Sequence, residues 1–324
     1  MRKVRFGAEL KDSLGLFIAI AFMVIFLSFF ARGFFTWFNI HNVLRDFSVL
    51  LIISTGMTIA IMLGKIDISV GSTISLSAIV ISLLVAGGTS LPLGILGALV
   101  AGALVGIFNG YLIGVQKVNH FVATFATMSI VQGITLVISG GDIIHARSPQ
   151  LMWLGIGRIF DIFVIIWVGT VIFILMYLFL KKTNFGYKIY STGGSEHIAE
   201  LSGIKTKKVY ILSFMIIGVL AAIAGVLLAG MTNSGSARVG EGFEFNAVAI
   251  VLIGGTPFDG GRGGVVGTFA GALFIAIMRN GIRMLGFPPA WQYAIIGFVV
   301  LAVVSMGVLL NERRKRQEAR RIWK

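Results

Sequence analysis

IFVIIWVGTVIFILMYLFL, residues 162–180, runs for nineteen positions without a charged side chain. A helix that crosses the hydrocarbon core of a bilayer needs roughly 20 mainly apolar residues, so this run reads as a membrane span. LGLFIAIAFMVIFLSFF, residues 14–30, has the same character. Backbone in lipid must satisfy its own hydrogen bonds, and unbroken apolar runs lack the alternation of barrel strands, so both segments are read as helices. The run at 14–30 is too long for a signal peptide and lacks a small-residue cleavage site; it is expected to be retained. Composition agrees, with 57% of the 324 residues hydrophobic and 12% charged, against roughly 25% charged in soluble domains.

Working outward from these runs, apolar windows separated by polar or glycine breaks predict about ten spans, near 14–35, 43–63, 72–88, 91–115, 120–139, 161–180, 209–232, 246–258, 264–285 and 290–310. The eighth is short. The expected fold class is therefore an all-α integral membrane protein, one transmembrane domain over 1–324, with some helices broken. Most of the 27 Lys and Arg fall on the side of the N-terminus, leaving Arg32, Arg45, Arg147, Arg158, Arg238, Arg279 and Arg283 opposite. That asymmetry predicts both termini in the cytoplasm, with a cytoplasmic connection at 181–208 and a basic tail at 311–324. The net charge of +14 then needs no nucleic-acid partner, because the tail NERRKRQEARRIWK serves as a topology anchor drawn to anionic lipid. Zero cysteines rule out disulfides and thiolate sites, and His41, His120, His145 and His197 show no ligand spacing, so no metal is expected. GALVGIFNG (102–110) and GALFIAIMRNG (271–281) form a weak internal echo.

Three polar stretches carry information. In KKTNFGYKIYSTGGSEHIAELSGIKTKKV, residues 181–209, the segment SEHIAELS reads as a short helix. Gly193 and Gly194 are expected to break the chain before it, Ser195 to cap it with Glu196 near its positive end, and Gly203 to stop it in the left-handed region. Ile198 and Leu201 share a face. Such a helix has something to dock against; the alternative is a helix lying on lipid headgroups, which Glu196 and Glu200 oppose.

The second stretch, LGKIDISVGS at 63–72, reads as a broken helix. Gly64 and Gly71 let the backbone leave helical geometry, so Asp67 should face protein or a water-filled cavity, with Ser69 and Ser72 capping the next helix. Asp67 is read either as structural support for this turn or as a direct contact for the hydroxyl groups of a ligand. The third, TPFDGGRGG at 256–264, cannot be an unbroken lipid-facing helix. No stretch reads G-x-x-x-x-G-K-S/T, so the chain lacks that phosphate-binding loop.

These stretches together resemble the permeases of bacterial ABC importers for simple sugars of the ribose, galactose, xylose and arabinose types. The first matches T-x-x-G-x-x-x-x-A-x-G-G-N-x-x-A-A-x-x-S-G-I at Thr183, Gly186, Gly193, Gly194, Ala199, Ser202, Gly203 and Ile204, and departs at Ser195 and Ile198. The second matches T-G-G-I-D-L-S-V-G-S at Gly64, Ile66, Asp67, Ser69, Val70, Gly71 and Ser72, and departs at Lys65 and Ile68. The third, residues 249–274, matches at Gly254, Gly255, Gly260, Gly261, Gly263, Gly267, Thr268, Gly271 and Ala272, with Pro257 in place of serine. The resemblance implies that residues 193–203 engage an ABC ATP-binding subunit through Gly193, Gly194, Ser195, Glu196, Ile198, Ala199, Glu200, Leu201, Ser202 and Gly203. It also implies ATP and Mg on that partner and no cofactor in this chain, a second permease subunit, and an extracytoplasmic solute-binding protein.

Polar residues inside spans are costly against lipid and turn inward. Asn109, Asn119, Gln132 and Asn246, with Asp67 and Ser69, are candidates for the path or for helix-to-helix bonds, and Phe121, Phe125 and Phe245 for an apolar gate or for packing. Their mild polarity suits a neutral solute such as a monosaccharide; nucleosides and furanone-type signalling sugars use permeases of this appearance too. An ion-coupled secondary transporter is the rival, opposed by the scarcity of buried acids. A membrane enzyme lacks any cluster of nucleophile, base and acid.

Overall fold

The computed structural model describes residues 14–288 together with 290–292, 294, 295, 297, 298, 301 and 305. Its helices are α1 (Leu14–Phe30), α2 (Trp37–Met62), α3 (Val70–Ala86), α4 (Leu91–Gly114), α5 (His120–Ser139), α6 (Pro149–Ile156), α7 (Val164–Lys182), α8 (Asn184–Gly194), α9 (Glu196–Leu201), α10 (Thr206–Thr232), α11 (Phe243–Ile253) and α12 (Val265–Met284). Six of them, α2, α4, α5, α7, α10 and α12, are long and apolar enough to cross a membrane, while α1, α3 and α11 are shorter apolar helices. The tenth expected span, 290–310, the N-terminal residues before Leu14 and the basic tail lie largely or wholly outside the described residues.

α2, α10 and α12 are mostly buried, whereas α4, α5 and α7 show most of their apolar surface to the outside. The core around α2 and α10 gathers Ile52, Met57, Ile61, Ile74, Phe214 and Ile217. A second cluster joins α1, α2, α11 and α12 through Leu27, Leu50, Ile250 and Ile275. In lipid no hydrophobic force drives helices together, so close backbone approach has to do it. α4 presents Gly102, Gly106, Gly110 and Gly114 at four-residue spacing; a Cβ at Gly106 would overlap the Phe214 carbonyl, and one at Gly218 the Gly102 carbonyl. That groove explains why α4 and α10 make the most extensive helix pair among the described residues. Thr58 and Thr268 hydroxyls add a 2.6 Å bond between α2 and α12.

Several elements differ from the sequence reading. α2 starts at Trp37 rather than near 43, because Thr36 caps it by accepting from the Asn39 N–H, and the polar first turns find partners. Asn39 pairs with Asn280 on α12, Nδ2 to Oδ1, at 3.1 Å, and Asp46 pairs with Arg283. α6 and two short strand pairs were not expected: β1 (Ile144–His145) pairs with β4 (Ser234–Gly235), and β2 (Arg158–Ile159) with β3 (Ile162–Phe163). The β2–β3 turn places Phe160 and Asp161 both at positive φ, the geometry of a type I′ hairpin. The Trp37 indole N–H and the Arg158 guanidinium beside Asp161 hold its carboxyl below the usual carboxylate range.

Candidate functional site

The three polar stretches, far apart in sequence, meet at one end of the helix bundle. α2 ends at Met62, whose carbonyl accepts the Gly261 N–H at 2.8 Å. A Cβ on Gly193, in the last turn of α8, would overlap that same carbonyl. Gly260 closes the contact: a Cβ there would lie 2.7 Å from the Gly193 oxygen and 2.8 Å from the Gly64 nitrogen. The Tyr190 hydroxyl on α8 donates to the Gly263 carbonyl at 2.9 Å. The glycines at 64, 193, 260 and 261 thus let three backbones touch where side chains would hold them apart. The expectation that Gly193 and Gly194 break the chain is corrected, since α8 runs through both and the break comes at Ser195, in extended geometry.

α9 begins there. The Ser195 hydroxyl accepts the Ile198 N–H at 3.3 Å, Glu196 sits in the first turn, and Gly203 takes φ +79° just past the end. Ala199 is buried beneath the helix, while Ile198 and Leu201, 64% and 76% exposed, form an outward apolar face. Such a face on a six-residue helix is left open among the described residues. Two acids tie α9 down from its other side. Glu196 pairs with Lys117 from the α4–α5 link and accepts from the Tyr210 hydroxyl at 3.3 Å. Glu200 accepts from the Thr206 hydroxyl at 2.6 Å. Lys65 and Lys117 both lie 5.7 Å from the centre of the Tyr210 ring, a cation–π arrangement. Ser202 donates its hydroxyl to the Ile198 carbonyl. The sequence marks Lys117 only as one more charge on the basic side, and Tyr210 is an aromatic in an apolar helix with nothing to mark it.

The turn between α2 and α3 holds a buried polar lock. Asp67 Oδ1 accepts from the Ser69 backbone N–H at 2.9 Å, the Ser69 hydroxyl at 2.6 Å and Asn109 Nδ2 at 3.4 Å. Asn109 Nδ2 also reaches the Ser69 oxygen at 2.8 Å. All three residues are buried. Ser69 occupies the cap position of α3, yet its hydroxyl makes no cap bond, and the Ser72 hydroxyl donates back to the Ser69 carbonyl; the expected capping by these serines is corrected, since the Ser69 hydroxyl is turned onto the Asp67 carboxylate. The Ile66 N–H adds a bond to His120 at the start of α5. Replacing Asp67 by Leu strands buried donors on Ser69, each unmet group costing about 1–3 kcal/mol. A clear drop in the thermal unfolding midpoint of detergent-purified Asp67→Leu is expected, with Asp67→Asn, which keeps an accepting oxygen, close to the parent.

The remaining candidates are distributed along α5 and α11. Asn119 caps α5 through the Phe121 and Val122 N–H groups. Phe121 and Phe125 are half exposed and stack with ring centres 6.3 Å apart. Gln132 donates to the Ala237 carbonyl at 2.8 Å. Phe245 is exposed, and Asn246 is buried with its amide on the Gly242 carbonyl. These side chains do not meet the Asp67 lock in one pocket. They follow the outer face of α5 toward the start of α11.

Residues 39–304 match the family described as branched-chain amino acid transport system, permease component. The chain belongs to that permease family. Among its relatives, the ribose import permease protein of Bacillus subtilis is 34% identical over 307 residues, covering 94% of this chain and 95% of the relative. The ribose import permease protein of Escherichia coli K12 is 32% identical over 291 residues, 89% and 91% of the two chains. The L-arabinose transport system permease protein of E. coli K12 is 29% identical over 293 residues, 90% and 89%. No solved structure matches the chain. The permease is a multi-pass inner-membrane protein and a transport subunit of an ABC importer, in keeping with its apolar helices.

Proposed function

We propose that this permease carries a monosaccharide inward across the inner membrane, driven by ATP hydrolysis in a partner. In this reading two permease subunits, identical or paired with a close relative, enclose the path. ATP-binding subunits, which hold the ATP and its Mg, dock on the apolar face of α9, and an extracytoplasmic binding protein delivers the solute. The observation that carries the reading is the junction of α9 with α2 and the glycine loop. A push on Ile198 and Leu201 reaches Lys117 through Glu196 and the end of α2 through Gly193, so docking and the spans are one mechanical unit.

The same reading places both termini and residues 181–208 in the cytoplasm, treats residues 1–324 as one domain and counts ten crossings. Its support is the gathering of Lys65, Lys117, Lys181, Lys182, Lys205, Lys207, Lys208 and Arg262 at the end where α9 sits. The family description names branched-chain amino acids, whereas the relatives matched over nine tenths of their length are named for ribose and L-arabinose. We give the relatives more weight, since full-length similarity includes the segments that face the solute.

The test is uptake into proteoliposomes holding the permease with its ATP-binding subunit and binding protein, with no ion gradient. Labelled D-ribose or L-arabinose should accumulate only when ATP is present on the side of the ATPase. Uptake that ignores ATP and follows an imposed proton or sodium gradient would remove the importer reading.

A further inference from the structure

The eighth crossing is only half a helix. α11 has 11 residues, about 16 Å at 1.5 Å per residue, against a hydrocarbon core of about 30 Å. The rest of the crossing is made by the irregular chain between Ser234–Gly235, paired with β1 at the outer end, and Gly242. Its depth is set by its partners. Gln132, which holds the Ala237 carbonyl, is twelve residues into α5, about 18 Å along the span. Gly240 donates its N–H to the Ser75 hydroxyl within α3 at 3.0 Å, and its backbone lies against Gly71 so closely that a Cβ on either would overlap the other strand of chain. Tight turns satisfy the segment internally, Val239 N–H to Ser236 O, Glu241 N–H to Arg238 O and Phe243 N–H to Gly240 O.

Buried and exposed residues are sharply sorted along it. Ala237, Gly240 and Gly242 face inward. Arg238 and Glu241 project out of the protomer, their side chains 79% and 60% exposed, with Nε and Oε1 3.9 Å apart. Phe245 follows on the same outward side, 63% exposed. The face of α5 beside them carries Phe121, Phe125, Ser129 and Gln132 at helical spacing. Two ionisable side chains and non-helical backbone at this depth are incompatible with lipid, and tolerable only against protein or water.

We infer that the segment Ser236–Gly242 lines the water-filled translocation path at mid-membrane, and that Arg238 and Glu241 hydrogen-bond the hydroxyl groups of the passing monosaccharide. An arginine offers donors and a glutamate acceptors, so the pair suits a neutral polyol that presents both on each hydroxyl. Their wide exposure and long separation leave them free to exchange each other for a solute. The stacked Phe121 and Phe125 at the α9 end of the same face would narrow the path below them. The inference rests on the importer reading for its solute, but the placement of the segment does not.

The natural chain has no cysteine, so single cysteines report alone. In membranes bearing the assembled transporter, Arg238→Cys and Glu241→Cys should react with a membrane-impermeant charged thiosulfonate at least ~10-fold faster than Leu175→Cys on the outward apolar side of α7, as burial in lipid suppresses the thiolate. Labelling no faster than Leu175→Cys overturns the placement. In the proteoliposomes, Arg238→Gln and Glu241→Gln should each lower D-ribose uptake by about tenfold or more, one lost charged hydrogen bond at a solute site. Uptake equal to the parent's in both overturns the solute contact. If the parent transports no sugar under ATP, the importer reading is what falls, and the labelling result still decides whether the segment meets water or lipid.

Discussion

Gly193→Ala is expected to cut ATP-driven sugar uptake by at least ~10-fold while Gly194→Ala leaves it within about twofold, a split set by backbone overlap rather than propensity. Both glycines end α8, neither has a positive φ, and alanine favours a helix at either. They differ in what surrounds them. A methyl on Gly193 would overlap the Met62 carbonyl, already bonded to Gly261 N–H, so either α2 or the glycine loop must move away. A methyl on Gly194 meets nothing within 4 Å. The measurement is uptake per inserted permease, with insertion checked by size-exclusion of the detergent-extracted protein. Equal activity of the two variants would show that the junction transmits nothing.

Much of the architecture was legible because apolar runs at membrane length have few other solutions. α4 and α5 begin and end within a residue of the expected spans, and the expected capping of α9 by Ser195 and stop at Gly203 are present. What was hidden depends on partners distant in the chain. The first turns of α2 look like a loop because Asn39, His41, Arg45 and Asp46 are polar; Asn280 and Arg283, some 240 residues on, make them helix. α8 was unexpected, since Gly186, Gly193 and Gly194 lower its propensity, yet Gly186 and Gly193 are where it packs against Leu180 and Met62. Apolar windows put the eighth span at 246–258, but Gly242 at φ +83° starts the helix at Phe243 and the close contact of Gly254 with Gly267 ends it early. Among candidate site residues, the sequence marked α9 and Asp67 by composition. Arg238 falls between expected spans, in an outer connection, because the bonds that tie its segment to Gln132 and Ser75 come from residues distant in the chain.

Glu200→Arg and Gly203→Pro are each expected to lower sugar uptake by about tenfold or more with ATP hydrolysis by the assembled complex retained, a loss equal to roughly 1.4 kcal/mol of coupling. The two substitutions reach the same end by separate physics. Glu200 fixes the start of α10 by accepting from Thr206; an arginine there has no acceptor to offer and sets a second cation beside Lys205. Gly203 turns the chain at φ +79° and bonds the Glu200 carbonyl through its N–H at 2.9 Å; proline removes the donor and cannot take that φ. In both, α9 keeps its cap at Ser195 and its outward Ile198 and Leu201, so a docking partner still finds its surface and still turns over ATP. What is lost is the rigid attachment of that surface to α10 and, through Glu196 and Lys117, to the start of α5. Ser202→Ala is the matched control, since it removes only an exposed hydroxyl bond to the Ile198 carbonyl. If Glu200→Arg and Gly203→Pro transport as well as Ser202→Ala, force does not pass through α9 and the end of the permease that holds it is not where the engine grips.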